Sequence, residues 1–297
     1  MSVKAEWIAV DWGTSHLRVW AMQGAHPMAE ARSEKGMGRL ARSEFQGALL
    51  ELVADWLGNA PVDVIACGMV GARQGWVEAP YAAVPVAPLS DVPIRVPDSD
   101  PRIRAHVVPG LKQAKPADVM RGEETQIAGF LALNKDWDGV ICLPGTHSKW
   151  VHVSAGEVVS FQTFMTGEMF DLLSGSSVLR HSVGEGWDDA AFQDAVETTL
   201  SKPESVAARL FGIRASDLLD ATEGSVARAR LSGLLIGMEL AAARPYWLGQ
   251  QIALIGASGM SAIYAKALEL QGVPATVADG QRMTLAGLNA ARKLLEH

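Results

Sequence analysis

The sequence predicts an α/β protein of two lobes, and three observations carry that reading. At 297 residues the chain is longer than one small core organises, and chains of this size usually divide into compact halves. Its C-terminal part alternates short β-type runs with helical periodicity, the pattern of an α/β layer. A strand, a glycine turn and a second strand occur twice, over 7–22 and again over 139–153, as though each lobe contained the same hairpin.

The first of these hairpins is Trp7-Ile-Ala-Val-Asp11, stopped by Gly13 and resumed at Leu17-Arg-Val-Trp-Ala-Met22. Ser43 and Gln46 have capping-box spacing, and Phe45, Leu49, Leu50, Val53, Trp56 and Leu57 recur at helical intervals, which predicts a helix over about 44–57. Val62-Asp-Val-Ile-Ala-Cys67 reads as a strand running into a glycine-rich loop, Gly68 to Trp76. Residues 80 to 118 are proline-rich with short valine runs, so edge strands or extended connections are expected there rather than helix. From Glu123 to about Leu133 the pattern is helical, with Ile127, Phe130 and Leu131 on one face and Asn134 ending it, so Glu123 and Glu124 lie in the first turn.

The second hairpin is Gly139-Val-Ile-Cys-Leu143, Pro-Gly-Thr-His-Ser-Lys149 and Trp150-Val-His-Val153. Helices are then expected near 167–179, 188–199, 203–211 and 224–244, followed by strand 252–255, helix 259–271, strand 275–278 and helix 283–295.

Composition bounds the partners. With 48% apolar and 20% charged residues the chain can bury a sizeable core. Its formal charge of −7 is spread with both signs interspersed, so it lacks the basic stripe that neutralises phosphates along a nucleic acid, and none is expected as a partner. No run approaches the roughly 18 apolar residues of a membrane span and no basic segment leads into an apolar signal core, so no membrane partner is expected and the expected compartment is the cytoplasm. Cys67 and Cys142 each sit within an apolar run without metal or redox spacing, and both read as buried core thiols.

The residues that suggest chemistry are glycine turns and carboxylates. Successive backbone N–H groups in a tight turn can hold a phosphate, with a threonine or serine hydroxyl as a further donor. Gly13-Thr14-Ser15 and Gly145-Thr146 both fit. A third turn, Gly256-Ala257-Ser258-Gly259, joins a buried strand to a helix start, where free N–H groups favour an anion or polar ligand. Neither the Walker loop nor the dinucleotide fingerprint is present, so a nucleotide would be held in another way. Taken alone, Glu123 and Glu124 complement a helix dipole, and Asp11 caps a turn.

Together these pieces resemble a known family. A strand ending in Asp-x-Gly-Thr-x-x-x-Arg, a later Gly-Thr hairpin and a C-terminal strand-Gly-x-x-Gly-helix occur in this order in the sugar kinase, Hsp70 and actin superfamily. More narrowly, Ala9-Val-Asp-Trp-Gly-Thr-Ser15, Gly68-Met-Val-Gly71, Gly75-Trp-Val-Glu-Ala-Pro-Tyr81, Val119-Met-Arg-Gly-Glu-Glu-Thr-Gln126, Pro144-Gly-Thr-His-Ser-Lys-Trp150, Met165-Thr-Gly-Glu168 and Leu231-Ser-Gly-Leu-Leu-Ile-Gly237 are similar to the 2-dehydro-3-deoxygalactonokinase family, in blocks spanning most of the chain.

The resemblance implies two ribonuclease H-like, actin-like ATPase lobes with an active-site cleft between them. It places a substrate-side lobe over 1–118 and a nucleotide-side lobe over 119–297, the boundary falling within 116–138 and the helix from about 283 crossing back to the first lobe. It implies transfer of the ATP γ-phosphoryl group to the 6-hydroxyl of 2-dehydro-3-deoxy-D-galactonate in galactonate breakdown, with Mg²⁺ as metal. Gly13, Thr14, Ser15, Gly145 and Thr146 would hold phosphates, and Gly256, Ala257, Ser258 and Gly259 the adenosine. Glu123 is the first choice for the catalytic base with Glu124 as the alternative, and Asp11 would hold the Mg²⁺-phosphate unit.

An acid substrate calls for a planar cation, so Arg18, Arg73 and Arg121 are candidates, Arg121 best placed beside Glu123. Trp76, His147, Lys149, Thr166 and Glu168 complete the substrate-facing set, with Tyr81 beside Trp76 as a second wall. A homodimer is one assembly the resemblance allows. Left open are a kinase of another sugar or sugar acid, such as 2-dehydro-3-deoxygluconate, and a nucleotide-driven binding protein of the same fold.

Overall fold

A computed structural model describes residues 3–296. The chain forms two compact units: one comprises the chain up to Asp138, Val153–Ser160 and the segment from Gly280 onward, the other Gly139–His152 and Phe161–Asp279.

The first unit begins with β1 (Trp7–Trp12), β2 (Leu17–Gln23) and β3 (His26–Ser33), then α1 (Phe45–Val53) and β4 (Val62–Gly68). The proline-rich stretch follows as β5 (Tyr81–Ala83), β6 (Ile94–Arg95), β7 (Ile103–Val107), β8 (Gly110–Gln113) and β9 (Asp118–Met120), and leads into α2 (Glu123–Leu133). The main sheet has the order β3-β2-β1-β4-β7-β6, and β5-β8-β9 form a small separate sheet. β1 pairs antiparallel with β2 and parallel with β4.

β1 is apolar almost throughout because both faces of the sheet are covered. Ile8, Val10 and Trp12 point into one core with Phe45, Leu49 and Val64, while Trp7 and Ala9 join Trp20, Ile65, Leu288 and Ala291 in the other. Buried tryptophans need a partner for the indole N–H. Trp7 donates to the Gly24 carbonyl at 2.8 Å and Trp12 to the Lys35 carbonyl at 2.9 Å.

Three local expectations change. The helix at 45 is not capped by Ser43; Glu44 turns back to accept the Ala41 backbone N–H at 2.7 Å, closing a short 3-10 turn ahead of α1. β7 is an interior strand between β4 and β6 rather than an edge, since Ile103–Val107 lies between Pro101 and Pro109 and keeps every N–H of its own. The hairpin also extends to a third strand, β3, which buries no residue and carries no continuous apolar run.

The second unit is built on β10 (Gly139–Leu143), β11 (Ser148–Ser154) and β12 (Glu157–Phe164), followed by α3 (Thr166–Ser176), α4 (Asp189–Ser201), α5 (Val206–Asp220), α6 (Gly224–Ala242) and α7 (Arg244–Trp247). β13 (Ile252–Gly256), α8 (Ser258–Glu269) and β14 (Ala275–Asp279) complete it, in the sheet order β12-β11-β10-β13-β14 with β10, β13 and β14 parallel. α5 runs past the expected end at 211 and through Gly212, because Ile213 buries against Leu231, Leu234 and Leu235. Cys67 and Cys142 are both free and buried. Among the described residues no helix is long and apolar enough to cross a membrane.

The last helix, α9 (Gly280–Lys293), belongs to the first unit and packs along α2. A methyl group at Gly129 would collide with the Met283 carbonyl, and one at Gly287 with the Thr125 carbonyl. The two backbones therefore touch at paired glycines, which fixes where the N-terminus of α2 emerges.

Candidate active site

Each unit presents its own cluster of functional side chains. In the first, the end of β1 meets the start of α2. Gly122, at φ +106, precedes the helix in a conformation L side chains rarely adopt, and lies against Gly68 at the end of β4. That turn delivers Glu123 and Glu124 as the first two residues of α2.

The two carboxylates have different surroundings. Glu124 is fully buried, one oxygen accepting the Gly122 N–H at 2.7 Å and the other the Thr125 hydroxyl at 3.0 Å. Glu123 is half-buried, and its Oε2 accepts the Arg121 backbone N–H at 3.0 Å. Burial, reinforced by the neighbouring Glu123 charge, pushes Glu124 up to about 8, so it holds its proton at neutral pH.

A carboxyl whose folded pKa is raised contributes stability that is complete below its unfolded pKa and is lost as pH rises through the folded value. For Glu124 that window runs from about 4.5 to about 8. Glu124→Gln, which cannot ionise, should flatten the fall in stability across this window by up to roughly 1.4 kcal/mol per pH unit. Urea denaturation at pH 5, 6.5 and 8 checks it: parallel curves for the two proteins would mean Glu124 is ionised throughout.

Asp11, next to last in β1, stands opposite Arg18 in the β1–β2 register, with Arg18 Nη1 at 3.4 Å from Asp11 Oδ2. Desolvation raises the Asp11 pKa, Arg18 opposes the rise, and Glu123 adds to it. Gly13, Thr14 and Ser15 form the following turn, with Thr14 and Ser15 exposed and the Gly13 N–H donating to the His16 carbonyl at 2.9 Å.

The three arginines separate. Arg121 is 9% exposed, its guanidinium lying 4.2 Å from the Tyr81 ring centroid and donating to the Ala79 carbonyl at 2.7 Å. Its Nη1 is buried without a hydrogen-bond partner among the described residues. Arg18 is half-exposed and turned to Asp11. Arg73 is 83% exposed and pairs with Glu78 at 3.6 Å on the surface. Trp76 packs edge-on to Trp12 against the core, its rings 6.2 Å apart.

The second unit holds a cavity of about 350 Å³, a size suited to a small ligand. The Gly145-Thr146 turn, Thr166 and Gly167 at the head of α3, and Ala257 at the head of α8 all line it. A methyl group at Gly167 would strike the Gly145 carbonyl, so glycine lets the helix sit directly on the turn, and the Glu168 N–H donates to the Thr146 carbonyl at 3.0 Å. His147 Nε2 lies 2.6 Å from Glu168 Oε2. Ser258 and Gly259 are exposed in the first turn of α8, below Gly256 at the end of β13. Lys149, expected to flank the turn, is buried within β11 at 4% exposure.

Several cavity residues had no signature in the sequence: Phe170, Trp187, Arg228 and Tyr264 line it, together with Ser232 from the Leu231–Gly237 block. Behind the cavity, Glu239 is buried at 1% exposure and accepts hydrogen bonds from Trp150 and Tyr264. Its one sequence signal is a lone carboxylate inside the apolar run of α6.

The model of the 2-keto-3-deoxy-galactonokinase family matches residues 11–291. A Rhizobium meliloti (strain 1021) protein named "Probable 2-dehydro-3-deoxygalactonokinase" is 40% identical over 99% of both chains. The Escherichia coli (strain K12) 2-dehydro-3-deoxygalactonokinase is 34% identical, covering 96% of this chain and 97% of its own. A crystal structure of a protein of the same type from Sinorhizobium meliloti superposes with a TM-score of 0.90 at 39% identity, covering 97% of this chain and 99% of that one. Component A of (R)-2-hydroxyglutaryl-CoA dehydratase from Acidaminococcus fermentans, at 11% identity and a TM-score of 0.55 over 97% of this chain and 98% of its own, shares the fold alone. The fold is that of the actin-like ATPases and sugar kinases.

Proposed function

The chain belongs to the 2-keto-3-deoxy-galactonokinase family, and we propose that it phosphorylates the 6-hydroxyl of 2-dehydro-3-deoxy-D-galactonate with ATP, in galactonate breakdown. The observation that carries the substrate class is Arg121: a buried guanidinium that forms no ion pair among the described residues and leaves Nη1 unsatisfied. An unpaired buried cation is costly. A sugar acid brings the carboxylate that would answer it, and a neutral sugar does not.

Phosphoryl transfer asks a protein mainly for positioning, charge stabilisation and a carboxylate to accept the hydroxyl proton. In this reading the second unit's cavity holds the nucleotide, with Gly145 and Thr146 offering phosphate donors and the head of α8, Gly256 to Gly259, facing the nucleoside. Glu123 accepts the proton from the 6-hydroxyl, and Arg121 orients the acid. Gly13, Thr14 and Ser15 supply a further phosphate turn.

Asp11 fits a Mg²⁺ role: it is a hard oxygen donor whose burial and neighbouring Glu123 charge favour protonation, a bias that a divalent cation reverses. When bound, the metal neutralises phosphate charge.

Coupled ADP release with Mg·ATP tests the proposal against 2-dehydro-3-deoxy-D-galactonate, its gluconate epimer, neutral hexoses and a blank. Preference for the galactonate compound by about tenfold or more in kcat/KM is expected. Preference for the epimer or a hexose would replace the substrate, and ADP release independent of any acceptor would make the chain an ATPase.

A further inference from the structure

Glu239 is a buried carboxyl that the proposed mechanism leaves without a part, and it stands directly behind the cavity. From α6 it reaches three other elements. Oε1 accepts the Trp150 indole N–H of β11 at 2.7 Å, and Oε2 accepts the Tyr264 hydroxyl of α8 at 2.7 Å. Burial raises the Glu239 pKa, and the Thr166 hydroxyl at the head of α3 is the first of the groups that oppose the rise. Tyr264 in turn lies 2.9 Å from the Ser148 hydroxyl, at the start of β11 just after the Gly145-Thr146 turn.

The geometry of this network is directional. Thr166 and Tyr264 both line the cavity; Glu239 holds Tyr264 from behind by a hydrogen bond, and its charge is felt by the Thr166 hydroxyl. A buried network with its members satisfied fixes rotamers that apolar packing alone leaves free. With its carboxyl gone, the indole of Trp150 and the hydroxyl of Tyr264 lose their partner, and the wall that Tyr264 forms beside Thr166 loses its anchor.

We propose that Glu239 is a positioning residue for the nucleotide: it sets the Thr166 and Tyr264 walls of the cavity, so its loss weakens ATP binding and spares the acid. The proposal rests on the reading of this cavity as the nucleotide site.

Steady-state kinetics on Glu239→Leu, Glu239→Gln and Tyr264→Phe test it, with ATP and acid varied separately. Glu239→Leu should raise the ATP KM about tenfold or more while the acid KM stays within about twofold. Glu239→Gln should recover most of that loss, because an amide offers a carbonyl to Trp150 and an N–H to the Tyr264 hydroxyl. Tyr264→Phe keeps the ring and removes one hydrogen bond, so it should move the ATP KM in the same direction by about threefold, and it carries the test if the leucine variant does not fold. Unchanged ATP KM in both Glu239→Leu and Tyr264→Phe, or an equal rise in both substrates' KM, overturns the proposal and leaves Glu239 a core residue. Met260→Trp, which fills the cavity from its rim, distinguishes the underlying reading: if it leaves ATP binding intact by calorimetry, the cavity is not the nucleotide site and the proposal falls with it.

Discussion

Glu123→Gln should lower turnover by roughly 10²–10³ while the KM values for ATP and for the sugar acid stay within about threefold. Glutamine keeps the shape and the hydrogen bond that the Arg121 N–H makes to this side chain at 3.0 Å, so the head of α2 stays in place. It cannot take a proton. The residual rate would come from positioning and charge stabilisation, which supply most of the acceleration in phosphoryl transfer.

Glu124 is the rival, and its surroundings argue against it. Both of its oxygens are engaged, by Gly122 and Thr125, and the group is fully buried and protonated at neutral pH. A base must be unprotonated and within reach of its substrate. Single-turnover measurements on Glu123→Gln decide the matter, and a rate within about fivefold of the unsubstituted protein moves the role to Asp11 or Glu124.

How far the sequence reached depended on whether a feature is local. Strands such as Trp7–Trp12 and Ile252–Gly256 are continuous apolar runs between turn residues, and helices such as Glu123–Leu133 have periodicity and a recognisable end at Asn134, so their places follow from nearest neighbours. β3 and α5 were obscured for opposite reasons. β3 is an edge strand with no buried residue, its apolar positions interrupted by His26, Pro27, Glu30 and Arg32, and α5 passes through a glycine because distant leucines on α6 bury Ile213.

The site divides in the same way. Gly145-Thr146 and Glu123 stand in short motifs with a physical rationale and could be proposed directly. Tyr264 and Glu239 lie 25 positions apart and meet only through the packing of α6 and α8. Glu123 and Glu124 are adjacent and chemically alike, and what separates them is that Glu124 is fully buried behind the Gly122 turn, which lies against Gly68 at the end of β4.

Arg121→Lys should raise the KM for the sugar acid by about 10- to 100-fold and leave the ATP KM unchanged. A guanidinium presents two parallel donors to a carboxylate, whereas an ammonium offers a point charge, and a charged hydrogen bond of this kind is worth about 1.5–3 kcal/mol. The side chain is stacked on Tyr81 and tied to the Ala79 carbonyl, and its Nη1 is buried beside Gly71 without a hydrogen-bond partner among the described residues; under the proposed reading that donor answers the carboxylate.

Loss of the stacking will cost some stability as well, about 1 kcal/mol, so the thermal midpoint must be measured alongside. Specificity separates the two effects. If Arg121 reads the carboxylate, the variant loses activity on the acid selectively and its weak rate on a neutral sugar analogue is preserved. If both substrates suffer equally, Arg121 only supports the loop at Ala79, and Arg18, half-exposed beside Asp11, becomes the residue that meets the acid.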